Sequence, residues 1–328
     1  MKQIKSLFLL MLVTALALAG WLGWYANQPL NMGVLPKTFS FTPGTSLHGL
    51  AVQLEQAHIV DAPLAFRVLG RLMCKSTRLK AGVYELDKPL TPLELYDKIE
   101  RGDVAQAAVQ FIEGWNIREV RAALSQQGKL THESDEMSDA ALLVAIGADE
   151  NHPEGLFFPD TYFFAPNSSD IEILRRAYRM QRDKLLAAWQ GRVPGLLYRS
   201  PYEALIMASI IEKETAVASE RPQIAAVFIN RLSRGMRLQT DPTVIYGLGT
   251  RFDGNLRKAD LQRDTPYNTY ARAGLPPTPI AMPGEAAILA SLHPAQSNAL
   301  YFVARGDGTH VFSNNLEAHN RAVHRYQR

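Results

Sequence analysis

The pattern of apolar and polar positions begins with a long apolar run. No charged residue occurs between Ser6 and Pro36, and residues 7–25 are apolar except for Thr14. At about 1.5 Å per residue, a helix of this length crosses a hydrocarbon core of roughly 30 Å. The pattern therefore predicts one membrane-spanning helix within residues 1–27.

Two charges set the expected orientation of this helix. Lys2 and Lys5 precede the apolar run, and positive charges favour the cytoplasmic side of a membrane. The rest of the chain is then expected on the far side. The alternative is a cleaved signal peptide, because residues 17–19 (Ala-Leu-Ala) form a small-residue cleavage site. An uncleaved anchor is favoured because the apolar run continues past Ala19.

Beyond the anchor, periodic segments predict a mixed α+β chain. A short strand, a glycine turn and an amphipathic helix follow one another twice, with matching positions at Phe41, Gly44, Leu47, Leu50 and Leu54, then at Phe111, Gly114, Ile117, Val120 and Leu124. Between them lie a predicted strand at Gly82–Leu86 and a helix that begins after Thr91 and ends at Gly102. We divide the chain into a linker (28–37), a small α+β module (38–105) and a larger α+β domain (106–328).

Two carboxylates lie at the end of a predicted helix that is otherwise almost wholly apolar. Ser200 and Pro201 announce the helix, and Glu212 and Glu214 end it. At about 100° per residue, Glu214 shares the apolar stripe with Met207, whereas Glu212 points nearly opposite. Apolar surroundings raise the pKa of a carboxyl group and make it a usable acid near neutral pH. The alternative is that both glutamates only cap a helix end.

Composition narrows the classes of partner and cofactor. The chain has 35 basic and 32 acidic residues, so nucleic acid is not an expected partner. The eight histidines include no pair at i, i+4 and the chain has no nucleotide-binding fingerprint, so neither a metal nor a cofactor is expected. Cys74 is the only cysteine, which excludes an intramolecular disulfide and leaves the expectation of a small buried hydrophobe.

Ordered motifs through the second half of the chain carry a specific resemblance. They are similar to those of the endolytic murein transglycosylases of the YceG-like family. The resemblance covers nearly the whole chain in order, and its main segments are 208–216, 227–232, 238–247, 267–270, 274–277, 293–295, 301–304 and 310–320. It implies a periplasmic catalytic domain on a single-pass inner-membrane anchor, with a LysM-like module between them.

The same resemblance implies a mechanism and a set of site residues. Glu214 would protonate the glycosidic oxygen and then take a proton from the 6-hydroxyl of muramic acid, which leaves a 1,6-anhydro end. One carboxylate suffices because the substrate supplies its own nucleophile. Supporting or substrate-binding roles are expected for Glu212, Thr215, Asn230, Gln239, Thr240, Asp241, Tyr246, Tyr267, Asn268 and Thr269.

The partners that follow from this interpretation are peptidoglycan glycan strands, the lipid bilayer and, by resemblance alone, penicillin-binding proteins. Two other functions stay open. One is a non-catalytic, membrane-anchored scaffold that binds peptidoglycan, and anhydro-sugar products would exclude it. The other is a soluble pyridoxal-phosphate lyase. The membrane segment argues against that lyase, and no lysine lies in a recognisable phosphate-binding context.

Overall fold

The structure is a computed structural model that describes residues 2–42, 44–73 and 79–327. Cys74, for which the sequence predicts a buried position, lies outside the described residues. The chain separates into two compact units. Unit 1 comprises Met1–Ala107 with Phe163–Pro166, and unit 2 comprises Ala108–Tyr162 with Asn167–Arg328.

Unit 1 combines the amino-terminal helix with a small α+β arrangement. Its helices are α1 (Lys2–Ala26), α2 (Leu47–Gln56), α3 (Pro63–Leu72) and α4 (Pro92–Arg101), and its strands are β1 (Lys37–Phe41) and β2 (Gly82–Leu86). The strands pair antiparallel, with Phe39 opposite Tyr84. Within α1, the segment Lys5–Ala26 has a mean hydropathy of 2.1 and is long and apolar enough to cross a membrane.

The short helices of unit 1 begin and end where local signals place them. Thr91 and Glu94 form a reciprocal capping box at the start of α4, and Pro92 occupies the first turn. The helix ends at Gly102, whose φ of 74° lies in the left-handed region that glycine adopts without a steric penalty. The predicted strand at Gly82–Leu86 and the predicted helix after Thr91 are therefore confirmed.

The core of unit 1 includes the end of α1. Ala26, Leu30 and Met32 are buried in one cluster with side chains from α2, α3, α4 and both strands. The ring of Tyr96 stacks on Phe66 at 4.2 Å, and aromatic pairs at this distance add to the free energy of burial. Residues assigned from the sequence to a linker thus contribute to a folded core. The LysM-like character of this unit stays a prediction.

Unit 2 is mainly helical. Its helices are α5 (Ile117–Ser125), α6 (Asp139–Ile146), α7 (Asp170–Gln190), α8 (Pro201–Glu214), α9 (Arg221–Ser233), α10 (Asp241–Leu248), α11 (Lys258–Gln262), α12 (Glu285–Leu292) and α13 (Leu316–Tyr326). The short strands β4 (Leu130–Thr131) and β6 (Ser168–Ser169) pair in parallel. Strands β7 (Tyr301–Ala304) and β8 (His310–Ser313) form an antiparallel hairpin. Two further strands, β3 (Ala107–Gln110) and β5 (Thr161–Phe164), lie at the unit boundaries.

Helix α8 lies at the centre of unit 2. Ser200 caps it and Pro201 begins it, as the sequence predicts. Every residue from Ala204 to Ile211 is buried, because α7, α9, α10 and α12 all pack against this helix. This burial agrees with the almost wholly apolar sequence of α8, since an apolar helix of this kind is covered on all sides. Its last turn projects Glu212 and Glu214 into different surroundings.

Candidate active site

Glu214 lies on the wall of a cavity of about 560 Å³ at the end of α8. The cavity is bounded by α9, the start of α10, the hairpin of β7 and β8, and α13. The hydroxyl of Thr240 donates a hydrogen bond to Oε1 of Glu214. Burial raises the pKa of Glu214 to about 7, although the bond from Thr240 opposes this shift; Asp241 raises the pKa further and His310 lowers it.

The segment between α9 and α10 supplies the polar part of the cavity wall. Of the residues predicted for the site, Gln239, Thr240 and Asp241 line the cavity together with Glu214. Gln239 has a φ of 53°, a left-handed conformation that is strained for a residue with a side chain. Its N–H donates to the carbonyl oxygen of Thr269 at 3.2 Å, which helps to hold this conformation.

Thr240 is held in place by two buried hydroxyl groups. The hydroxyl of Thr269 accepts a bond from the N–H of Thr240 at 3.1 Å and lies 2.9 Å from the hydroxyl of Thr243. Thr243 also donates to the carbonyl oxygen of Thr240 at 2.8 Å. Because buried hydroxyl groups are costly without partners, this arrangement fixes the threonine that contacts Glu214. Thr269 therefore supports the site and lies behind its wall.

Glu212 lies in a separate, buried ion pair. Its side chain is only 5% exposed and its carboxylate lies 2.9 Å from the guanidinium of Arg221. The N–H of Gly284 donates to the same carboxylate at 2.9 Å. Burial raises the pKa of Glu212, while Gly284 and Arg221 lower it. Arg221 and Gly284 thus cover the side of α8 on which Glu212 lies.

The residue before α12 also lies against Glu113. A Cβ on Gly284 would lie 1.9 Å from Oε1 of Glu113, so the exposed side chain of Glu113 would have to move to admit it. Glu113 in turn lies 4.0 Å from Arg221. Glu212 thus joins the end of α8 to the starts of α9 and α12, and it does not line the cavity.

Other predicted site residues hold loops by bonding to backbone groups. The hydroxyl of Thr215 accepts from the N–H of Val217 at 3.0 Å. The side chain of Asn230 donates to the carbonyl oxygens of residues 297 and 299, and that of Asn268 donates to three carbonyl oxygens between residues 260 and 263. Within the described part of the chain, none of the three lines the cavity.

Tyr246 and Tyr267 belong to a different cluster around a third buried glutamate. The hydroxyl of Tyr246 donates to Glu154 at 3.0 Å, and its ring packs edge-on against Tyr267 at 4.8 Å. Tyr267 also lies 2.9 Å from the hydroxyl of Thr278. Burial raises the pKa of Glu154 to about 7, although bonds from the N–H of Ile117 and from Tyr246 oppose the shift. Glu154 was not singled out from the sequence.

We expect Glu154 to make the stability of the protein depend on pH. Its pKa rises from 4.5 to about 7 on folding, which corresponds to about 3 kcal/mol at roughly 1.4 kcal/mol per pKa unit. The folded state then binds the proton more tightly, so this stabilisation is complete below pH 4.5 and is lost as the pH rises through 7. Urea titrations measure the free energy of unfolding, which should decline between pH 4.5 and 8 by about 3 kcal/mol less in Glu154→Gln than in the parent protein. An equal decline in the two proteins would contradict this role of Glu154.

The cavity also contains aromatic and basic side chains that the sequence alone does not indicate as site residues. The guanidinium of Arg231 lies 5.1 Å from the ring centre of Tyr301. The ring of His319 stacks on the same tyrosine, with the ring centres 5.1 Å apart. Tyr270 donates to Asp241 at 2.5 Å, and His310 bonds to Glu220 at 2.7 Å. These residues lie within or beside the quoted motifs, and only that membership could have identified them.

A group of three side chains outside the cavity resembles a metal site in composition. Ligand atoms of His132, Asp135 and Asp170 lie within 4.8 Å of one another. Asp170, however, already accepts bonds from the N–H groups of Glu133 and Ser134 and from the hydroxyl of Ser134. These contacts explain a buried aspartate as a support for the loop before α6. The expected absence of a metal stays a prediction.

Known proteins with similar sequences share one description. The model of the YceG-like family matches residues 39–325. A Bacillus subtilis protein named endolytic murein transglycosylase is 31% identical over 86% of this chain and 82% of its own length. A protein of the same name from Streptococcus pneumoniae is 29% identical, with 96% of this chain and 64% of its own length covered. A crystal structure of a yceG-like protein from Listeria monocytogenes superposes with a TM-score of 0.54 at 31% identity, covering 87% of this chain and 98% of that one.

Proposed function

Because the chain belongs to the YceG-like family, we propose that it is an endolytic murein transglycosylase, a lyase that cuts peptidoglycan glycan strands internally. The single observation that carries the proposal is Glu214, a carboxyl group with a pKa of about 7 on the wall of an open cavity. A group with this pKa is protonated in a large fraction of molecules near neutral pH. It is therefore suited to donate a proton to a leaving group.

The proposed reaction uses Glu214 twice. Thr240 donates to Oε1 of Glu214, so the transferable proton is assigned to Oε2. That proton passes to the oxygen between N-acetylmuramic acid and N-acetylglucosamine as the bond to the muramoyl C1 breaks. The resulting carboxylate accepts the proton of the muramoyl 6-hydroxyl, whose oxygen bonds to C1. The products are a 1,6-anhydro-muramoyl end and a free 4-hydroxyl, and Glu214 is again protonated.

The other cavity residues would bind and orient the sugar. Gln239 and Asp241 offer polar groups beside Glu214, and Tyr270 restrains Asp241 through its hydroxyl group. Aromatic side chains of the wall, such as that of Tyr270, suit the flat apolar faces of sugar rings. Glu212, Thr215, Asn230, Asn268 and Thr269 would act indirectly, by holding the segments that carry the cavity wall.

Mass spectrometry of purified glycan strands tests this function directly. Incubation with the full-length protein should release fragments that end in 1,6-anhydro-N-acetylmuramic acid, because the substrate's own hydroxyl replaces water as the nucleophile. Internal cleavage should give fragments of many lengths from the start, rather than a steady loss of single disaccharides. Binding of strands without any anhydro product would instead identify the non-catalytic scaffold.

We also propose that α1 is an uncleaved inner-membrane anchor with its carboxyl end in the periplasm, since Lys2 and Lys5 precede the apolar segment. Alkaline phosphatase fused after Arg328 should then be active, because this enzyme folds only after export. A fusion lacking residues 1–27 serves as the inactive control. The proposed topology would be contradicted if only the fusion that lacks residues 1–27 were active, or if the mature protein began at Gly20.

A LysM-like role for residues 38–105 and contact with penicillin-binding proteins stay predictions from the resemblance.

A further inference from the structure

Helix α3 of unit 1 carries an apolar stripe on its exposed face. Leu64, Val68 and Leu72 are 68%, 40% and 69% exposed and follow one another at four-residue spacing, which places them in one row along the helix. The opposite face buries Phe66 and Leu69 in the core of the unit. The helix is thus apolar on both its inner and its outer side.

Helices α2 and α4 of unit 1 do not share this feature. Their exposed positions carry polar or charged side chains, namely His48, Gln53, Glu55 and Gln56 on α2 and Glu94 and Arg101 on α4. Outside the apolar anchor α1, an exposed apolar row on α3 beside the polar faces of α2 and α4 indicates a surface that contacts something other than water.

Charge along the stripe indicates what that contact is. Arg67 and Arg71 lie along one edge of the row formed by Leu64, Val68 and Leu72, and α3 contains no acidic residue. A helix with exposed leucines beside arginines is typical of segments that lie in the interface of a bilayer, where the apolar side chains enter the boundary of the acyl chains and the cations meet lipid phosphates.

The position of α3 in unit 1 places it beside the end of α1 that is expected at the surface of the membrane. The hydroxyl of Tyr25, near the end of α1, lies 3.5 Å from the carbonyl oxygen of Ala62, the residue before α3. Leu22 and Tyr25 pack against the core that contains Phe66, and α1 contacts α3 directly. Exposed Trp21 and Trp24 accompany Tyr25 at this end of α1, and such aromatic residues mark the level of the lipid headgroups.

We propose that the outer face of α3 rests on the bilayer beside the anchor, with Leu64, Val68 and Leu72 in the headgroup region and Arg67 and Arg71 paired with lipid phosphates. The inference rests on the proposed membrane anchor. It assigns unit 1 a second attachment to the membrane. A single spanning helix can rotate about its axis, whereas a helix and an adjacent interfacial face together fix the side of unit 1 that points toward the lipid.

Depth-dependent fluorescence on the full-length protein tests the contact. An environment-sensitive dye is attached to Val68→Cys in a Cys74→Ser background, and the matched control carries the dye at Gln53→Cys on the polar face of α2. Both proteins are reconstituted into vesicles of phosphatidylethanolamine and phosphatidylglycerol. Because an interfacial helix lies about 5–10 Å into the headgroup boundary, quenching by nitroxide lipids should be at least about threefold stronger at position 68 than at position 53. Aqueous iodide should show the opposite preference.

Two further measurements keep the test decisive. Co-flotation with the vesicles is scored first, so that a protein that fails to float refutes the anchor, while a floating protein with a water-exposed dye at position 68 refutes only the α3 contact. Protection of the dye from both quenchers, together with disulfides between unlabelled Val68→Cys chains, would identify a second copy as the occupant and overturn the proposal. Leu64→Gln with Leu72→Gln should bring the lipid quenching down to the control level, and unchanged quenching would also overturn it.

Discussion

Replacing Glu214 by glutamine should slow the release of anhydro-muramoyl ends by at least about 100-fold while the protein stays folded. Glutamine keeps the size of the side chain and can still accept the bond from Thr240. It has no proton that can be transferred to the glycosidic oxygen. The rate is measured by mass spectrometry of released ends, and the fold by circular dichroism.

The control for this change is Glu136→Gln, because Glu136 is exposed on the surface of unit 2 and should retain the parent rate. The parent rate should also fall as the pH rises through about 7, where Glu214 loses its proton. A folded Glu214→Gln protein that works at nearly the parent rate would exclude Glu214 as the acid. If Glu212→Gln alone abolishes release in a folded protein, the acid is Glu212.

Replacing Arg221 by glutamine should lower the free energy of unfolding by about 3–5 kcal/mol, because it leaves the carboxylate of Glu212 buried without its charged partner. Both side chains are almost fully enclosed and lie 2.9 Å apart. Urea titrations that follow circular dichroism provide the measurement. Glu212→Gln should be destabilising for the converse reason, since it leaves the guanidinium with only the more distant Glu113, at 4.0 Å.

The double variant Glu212→Gln with Arg221→Gln tests whether the two side chains depend on each other for the stability of the protein. Removal of both charges should cost clearly less than the sum of the single changes, since neither is then left alone in the interior. Additive losses would show that the two side chains do not depend on each other. The surface pair of Arg321 and Glu317 is the matched control, and its loss should cost less than about 1 kcal/mol.

Local signals in the sequence predicted several of the elements that the structure contains. Ser200 with Pro201, and Thr91 with Glu94, mark helix starts because a cap is satisfied by the first turn of its own helix. The apolar positions Leu47, Leu50 and Leu54 are buried on α2, and Ile117, Val120 and Leu124 are buried on α5. Each of these features depends on residues a few positions apart.

The surroundings of the two glutamates could not be predicted in the same way. A helical face shows which side chains share a direction, but the structure covers α8 on every side. Arg221 and Gly284 reach Glu212 from α9 and from the residue before α12, and no local pattern announces those contacts. Glu154 was missed for the same reason, because its partner Tyr246 lies far along the chain.

Motif membership alone also proved too coarse to define which residues face the cavity. Tyr246 and Tyr267 lie in segments that carry the resemblance, yet their hydroxyl groups bond to Glu154 and Thr278. Thr240 and Asp241 come from the same segment as Tyr246 and do line the cavity. One short helix, α10, thus has a first turn at the cavity and a later turn in a buried cluster.

The last turn of α1 has a consequence for the design of water-soluble fragments. Leu22, Tyr25 and Ala26 pack into the core of unit 1, so a fragment that starts after them lacks part of that core and uncovers the apolar side chains they contact. Solubility is better sought by retaining these three residues and replacing the outward-facing Trp21 and Trp24. A water-soluble fragment should therefore begin one or two helical turns before the end of the apolar segment, where hydropathy alone would start it.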